Sequence, residues 1–385
     1  MEANADAVRD PWPWSGFIGD PRAWVLKSDE PAARWALLTG VADLPASDER
    51  VLAARRDVRS DPTTTVLVAR LRDWEGGEPF SGHNSPAFAP NLLNLLADLG
   101  LQHGDDPRVD ATLERMLAHQ DDEGRFQSFA PVRGSKQPVW GALLCDSHAI
   151  IEVLVRFGHG EDPRVRAGLA RMGHDLTDTS QGPAWPCHPD PVTGFRGPGR
   201  KGEFCPQVTL EALRTYALVP ESQRPNGWLD VARVSLSAWR RRGEQKPYMF
   251  GHGRAFKAGK WPPTWYSALA VLDALGRYPE LWRGTGGEPQ DRLALAELAA
   301  CLVAYTMTAQ GRVVPQSIFR GFEDYSFGQK SQPSPFATAR VLTVLHRLDD
   351  LAAEAGAVSI AGLASSKGGT GHPLAPRVPG GGASR

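Results

Sequence analysis

Net charge is almost absent from this sequence: 43 Lys and Arg face 44 Asp and Glu over 385 residues, leaving −1. A chain so balanced has no electrostatic footprint for duplex nucleic acid or for an anionic membrane surface. Long apolar runs are missing as well. The best stretch, Leu293 to Tyr305, is interrupted by Glu297 and falls short of the roughly 20 apolar residues of a membrane span. Cysteine is scarce, four in all. The N-terminus, Met1-Glu-Ala-Asn-Ala-Asp6, is acidic and polar where a secretory signal is basic and then apolar. The expectation is a cytoplasmic protein with reduced thiols, no nucleic-acid partner and no integral membrane span. Convincing alternating strands, a phosphate-cradling P-loop, a dinucleotide fingerprint and a Ser-His-Asp spacing are also lacking.

Glycine and proline, in contrast, are abundant, at 40 and 32 residues. No Gly-X-Y period accompanies them and 41% of residues are apolar, which excludes a collagen-like or wholly disordered chain. They act as punctuation. Proline opens segments with apolar residues three and four apart: Pro90 to Gly100, Pro138 to Gly158, Pro206 to Leu218, Pro263 to Tyr278 and Pro335 to Leu348. Proline suits the first helical turn, where its missing N–H has no partner to lose, and glycine suits the residue after a helix. More charged helices are expected at Leu229 to Arg242 and Asp291 to Tyr305, and earlier ones at Ala32 to Gly40, Ser47 to Arg59 and Val66 to Trp74.

Two of the charged helices open alike, Asp106-Pro-Arg-Val and Asp162-Pro-Arg-Val, and the helix ends before them, Gly100 and Gly158, are offset by a similar length. The unit repeats. The pattern predicts an all-α fold of about six helical hairpins, laid out as an open solenoid or as a closed ring around a central cavity. Aromatics and leucines on several faces of the Pro-opened helices favour closure. Residues 1–30 read as an N-terminal extension, 31–352 as the helical domain, and 353–385, rich in Gly, Ala, Ser and Pro, as a disordered tail.

The first repeat ends in Gln120-Asp-Asp-Glu-Gly124-Arg-Phe126. This resembles the Gln-x3-Gly-x-aromatic signature of the squalene-cyclase and protein-prenyltransferase superfamily, the terpenoid-cyclase-like proteins, with Phe where Trp is usual. Gln181-Gly-Pro-Ala-Trp185 and Gln310-Gly-Arg-Val are degenerate echoes. The resemblance covers roughly residues 85 to 350 and implies an α/α toroid with an aromatic-lined cavity. The family's protonating cyclases carry Asp-x-Asp-Asp, and this sequence has no such tetrad. Its acidic pairs Asp105-Asp106, Asp121-Asp122 and Asp349-Asp350 read as caps, signature and helix end.

The densest polar cluster is Trp185-Pro-Cys187-His188-Pro-Asp190 with Gly194-Phe-Arg196, Arg200-Lys201 and Cys205. Upstream, Cys145-Asp146-Ser147-His148 lies within an inner helix, where Cys145 and His148 are three apart and share a face. Cys145, Cys187, His188 and Cys205 are candidate zinc ligands, two toroid groups of the family being zinc proteins; alternatively Cys145 is a small buried residue and the others are loop thiols. Basic residues fall in the loops before the inner helices: Arg133 and Lys136; Arg196, Arg200 and Lys201; Arg254, Lys257 and Lys260; Arg320 and Lys330. In a closed ring they share one end, as an anion-binding mouth or as solvated charges. Trp140, Trp265, Tyr266 and Phe336, with Phe88 and Trp185, are candidates to line the cavity beneath, or else core. Asp146, His148, Tyr266, His252 and Asp324 are candidate acid–base groups. His83-Asn84-Ser85 precedes an inner helix, and Ser85 before Pro86 reads as a cap.

The preferred expectation is a toroid that binds a hydrophobic small molecule, isoprenoid or diphosphate-bearing, as a non-protonating cyclase or a prenyltransferase-like transferase. The rivals are a non-catalytic binding or scaffold protein and a carbohydrate-active α/α barrel. Paired acids facing the cavity would mark the last, and a filled centre the scaffold.

Overall fold

The computed structural model describes residues 11–80, 82–130, 137–190, 192, 194–197, 199–244 and 250–364. Arg133, Lys136 and positions 365–385 of the expected tail lie outside the described residues. The chain begins with α1 (Arg22–Leu26), α2 (Pro31–Gly40), α3 (Glu49–Ser60) and α4 (Pro62–Ala69). The repeats follow as α5 (Ala89–Leu99) with α6 (Pro107–Ala118), and α7 (Leu144–Arg156) with α8 (Pro163–His174). Then come α9 (Pro206–Tyr216) with α10 (Trp228–Arg240), the short α11 (Arg254–Ala258), and α12 (Ala268–Leu275) with α13 (Pro289–Thr306). The described chain closes with α14 (Pro335–His346), α15 (Ala352–Gly356) and α16 (Ile360–Ala364).

Six of these helices form a ring. α2 packs on α5, α5 on α7, α7 on α9, α9 on α12, α12 on α14, and α14 returns to α2. The sequence of α5 shows why such a helix goes inside. Leu92, Leu93, Leu95, Leu96 and Leu99 are all buried, so its apolar surface spans more than the single stripe of a surface helix. Complete burial of one such leucine is worth about 1.5–3 kcal/mol in transfer terms. α5 stops at Gly100, whose φ of 113° suits glycine and whose missing Cβ would meet the Trp35 ring at 2.8 Å. α6 and α8 start as their shared words predict, with the Asp106 and Asp162 side chains accepting from the backbone N–H of Arg108 and Arg164. The signature residue Gln120 donates from Nε2 to the carbonyls of Gly124 (2.7 Å) and Arg164 (2.8 Å), tying one hairpin to the next helix.

Three helix expectations are redrawn. Val139–Gly141, expected at the start of a helix opened by Pro138, is strand β2, paired antiparallel with β1 (Ser128–Ala130) so that Phe129 faces Trp140. β-branched and aromatic residues favour that cross-strand arrangement. A second hairpin, β3 (Thr177–Thr179) with β4 (Gly182–Ala184), sits at the matching place in the next repeat. α12 begins at Ala268 rather than Pro263, because the Ser267 side chain caps it by accepting from Ala270 N–H. The helix expected at Val66 to Trp74 is α4, which ends at Ala69 and is capped by Asp61.

Both ends of the described chain fold back on the ring. Trp14 is fully buried and donates from Nε1 to Asp349 Oδ1 at 2.8 Å. α1 packs on α2 and α14, while α15 and α16 occupy 352–364, where the sequence suggested a tail, and pack on α13. No described helix is long and apolar enough to cross a membrane; in α13, Glu297 accepts from Trp239 Nε1 at 2.9 Å.

Candidate functional site

α7 and α9 pack side by side and place their first turns at one end of the ring. There the chain leaves a cavity of about 450 Å³. Its wall is mostly apolar and aromatic, with Phe80, Phe88, Phe129, Phe204, Phe250 and Trp265 around it. Phe250 stacks on Trp265, with ring centroids 5.5 Å apart. The polar groups gather on one side, and they come from four separate segments.

Asp146 stands in the first turn of α7, where the helix dipole favours a negative charge. Its Oδ2 accepts from the Ser128 hydroxyl, and its Oδ1 lies 3.4 Å from His83 Nδ1 and 3.6 Å from the Cys145 thiol. His83 hangs from the loop before α5. Asn91 steadies that loop by donating to the carbonyls of His83 (2.6 Å) and Ser85 (2.9 Å). On its other side His83 Nε2 meets Glu211 Oε1 of α9 at 2.8 Å. Gln207, one turn earlier on α9, donates to the same oxygen at 2.7 Å. Glu211 Oε2 is buried and has no hydrogen-bond partner among the described residues.

An imidazole thus sits between two carboxylates. Burial alone would pull its pKa down, but the charge of Glu211 and the contacts with Asp146 and Glu211 outweigh it and hold His83 up at about 10. His83 is therefore an imidazolium at neutral pH, a fixed positive charge and a weak acid. The thiols behave in the opposite sense. Burial, reinforced by Asp146, pushes Cys145 well up, and burial pushes Cys205 up to about 12, so both are neutral without a bound cation.

The expected site residues divide into two groups. Cys145, Asp146, Cys187, His188, Cys205, Arg200 and Trp265 all line this one cavity, as does Phe88. Cys187 nests against Gly197, where a Cβ would meet its Sγ at 2.8 Å. The others lie elsewhere. His148 does not share the cavity face with Cys145; it turns into the α7–α9 interface, its Nδ1 3.3 Å from the Val208 carbonyl, and burial holds its pKa down near 4. Tyr266 pairs its hydroxyl with His252 Nε2 at 3.0 Å inside an aromatic cluster. Trp185 is fully buried and donates to the Met172 carbonyl, Phe336 is buried beside Phe327, and Trp140 stacks on His119. Asp324, Arg196 and Lys201 are exposed, and Lys260 lies over the Phe319 ring. Lys257 points inward, its ammonium donating to the Leu363 carbonyl.

For a metal, the geometry selects a different set from the one expected. Ligand atoms of His83, Cys145 and Asp146 lie within 4.8 Å of one another. They are a donor set that could hold a metal ion such as zinc, and Glu211 on the far nitrogen is the kind of carboxylate that orients a ligating histidine. Sequence reasoning passed over His83, Ser128, Gln207 and Glu211. The usable signal was on α9, where Gln207 and Glu211 fall four apart on a helix otherwise buried. His83, noted only beside the Ser85 cap, had no signal tying it to Glu211, 128 residues away.

No family model and no curated protein matches the chain. Solved structures do. The chain is similar in fold to the type II terpene cyclase MstE. One variant of that Scytonema enzyme, bound to its substrate geranylgeranyl dihydroxybenzoate, aligns at a TM-score of 0.40 and 15% identity, covering 85% of this chain and 88% of that one. A second variant with the same substrate gives 0.39 and 15%, over 84% and 87%. A protein from Actinoplanes gives 0.38 and 16%, over 91% and 99%. The closed ring stands on this chain's own helix packing.

Proposed function

We propose that the chain binds a hydrophobic small molecule of isoprenoid type in the cavity of about 450 Å³, with the Asp146–His83–Glu211 cluster acting at its polar side. The observation that carries this reading is the combination of an aromatic wall with one confined cluster of acidic side chains around a histidine. Aromatic faces shelter an apolar chain and stabilise a cationic centre. An imidazolium held near 10 is too weak an acid to protonate an alkene, so the cluster suits charge stabilisation and proton removal by Asp146. That matches a non-protonating cyclase or transferase.

The carbohydrate reading needs two carboxylates free to flank a sugar linkage, whereas Asp146 and Glu211 are both engaged by His83. A second reading is favoured by one observation, the convergence of His83, Cys145 and Asp146. A zinc ion there would supply a Lewis acid beside the apolar chamber, with His83, Cys145 and Asp146 as its ligands.

The test is mass spectrometry of small molecules retained by the natively purified protein, compared with Trp265→Ala and Phe250→Ala variants. Retention of a prenylated or similarly apolar compound, lost in the variants, is the expected result. Retention of sugars or peptides alone would overturn the reading.

A further inference from the structure

Toward the opposite end of the ring lies a second, smaller space of about 80 Å³, lined by residues of α5, α7, α9, α12 and α14 and by Pro262, Pro263 and Thr264. A polar floor separates it from the apolar chamber. Asn91, whose amide holds the His83 carbonyl, lines the lower space, and Gln207 of the upper chamber donates to the carbonyl of Thr264, which lines the lower one.

Charged side chains converge on this lower pit. Asp98 is shared by Arg156 at 2.6 Å and Arg340 at 3.1 Å. Glu152 takes both prongs of Arg214, at 2.9 and 2.8 Å. Asp273 accepts from Arg277 at 3.2 Å and from Arg347 at 2.8 Å. Four guanidinium groups, those of Arg156, Arg214, Arg277 and Arg340, therefore line the pit beside three carboxylates, with Arg347 a further partner of Asp273, an arginine excess in a largely buried place. The carbonyl ends of the inner helices offset part of this. Arg340 Nε is also buried with no hydrogen-bond partner among the described residues.

Uncompensated buried cations are costly, and arginine forks match the geometry of oxyanions. A water needs roughly 10–15 Å³ of such space, so the pit has room for the five heavy atoms of a phosphate. We propose that the lower pit is a binding site for one tetrahedral oxyanion, inorganic phosphate or the terminal phosphate of a small ester, held between Arg277 and Arg340. The bound anion neutralises the arginine excess and ties α5, α12 and α14 together from below. The site is independent of whatever occupies the apolar chamber.

The experiment is isothermal titration of the full chain with inorganic phosphate and, separately, methyl phosphate, at ionic strength held constant with sodium chloride. Saturable binding of one phosphate per chain is expected, weakened at least tenfold in Arg340→Gln. Asp98→Asn, which removes a competing carboxylate and keeps every arginine, should bind several-fold tighter and guards against misfolding of the first variant. Methyl phosphate binding as well as phosphate assigns the ester source, and binding only phosphate assigns the free ion. Absence of saturable phosphate binding in the wild-type chain would overturn the proposal. So would equal affinity in all three proteins, which would move the anion to another surface such as the Arg196–Lys201 loop.

Discussion

The ring is closed by α14 lying on α2, two helices some 300 residues apart in sequence, and one glycine sets how near they come. A Cβ at Gly40, the last residue of α2, would lie 2.5 Å from Thr343 Oγ1, 2.6 Å from its Cγ2 and 3.1 Å from its Cβ. Rotating Thr343 moves the two γ atoms but leaves the Cβ too near, and it breaks the bond from Oγ1 to the Ala339 carbonyl at 3.0 Å. Overpacking of this kind costs about 1–3 kcal/mol. Replacing glycine in a helix returns at most about 1 kcal/mol, and less at a terminal position. Gly40→Ala should therefore destabilise the protein by about 1–2 kcal/mol, lowering Tm by about 2 °C in a chain of this length. Thr343→Ala removes both γ atoms, so the double variant should recover about 1 kcal/mol relative to the sum of the singles. Urea unfolding of the four chains, followed by circular dichroism, measures both figures. A Gly40→Ala protein as stable as wild type, with strictly additive singles, would mean that α2 and α14 do not meet as described and that the ring is open at this seam.

Other outcomes follow from the sites. If zinc is bound, metal analysis should find one ion per chain, lost in His83→Ala and Cys145→Ala and retained in a Cys187→Ala, Cys205→Ala variant; the reverse pattern would restore the ligand set expected from sequence. His346, at the end of α14, lies 2.7 Å from Asp349 and 2.9 Å from Asp43. The hydrogen bond with Asp349, against opposing burial and with help from Asp43, raises it to about 9. A raised histidine contributes stability that is complete below its ordinary value of about 6.5 and is lost as pH climbs to about 9, here about 1 kcal/mol after solvent screening. Urea midpoints should fall across that window in the wild type and fall less in Asp349→Asn; parallel curves would refute the clamp.

The scaffold was legible because its signals are local. Proline at a first turn, Asp before Pro-Arg-Val and glycine after a leucine-rich stretch each fix a boundary by steric or hydrogen-bonding rules acting within a few residues. The misread boundaries also have local causes, since Val139-Trp140 satisfies a strand as well as a helix start until Phe129 is placed opposite. The site was legible only in part. Cys145, Asp146, Cys187, His188 and Cys205 stood out as chemically unusual, and they do share a cavity. Their partners His83, Ser128 and Glu211 arrive from a loop, a strand and a helix that only the ring brings together. The basic loops misled in a different way. Charges at loop ends suggested a positive mouth, and Arg200 does line the chamber, yet Lys257 turns inward to a carbonyl, Lys260 lies on an aromatic ring, and other arginines gather at the far end of the axis.

That inversion bears on how the two ends of one axis differ. Near the first turns of α7 and α9, backbone dipoles already favour anions, and the chain places Asp146 there against a single imidazolium. At the far end the dipoles favour cations, and the chain lines the pit with four arginines beside three carboxylates. A purely structural plug would be most stable with its charges matched or replaced by apolar side chains of similar volume. The upper chamber departs from that optimum with an unpartnered Glu211 oxygen beside an apolar cavity, and the lower pit with an unpartnered Arg340 nitrogen beside a polar one. Arg340 lines the lower pit, where an anion repays its departure, while Glu211 stands behind His83 at the polar side of the chamber, and their opposite signs call for different ligands at the two ends.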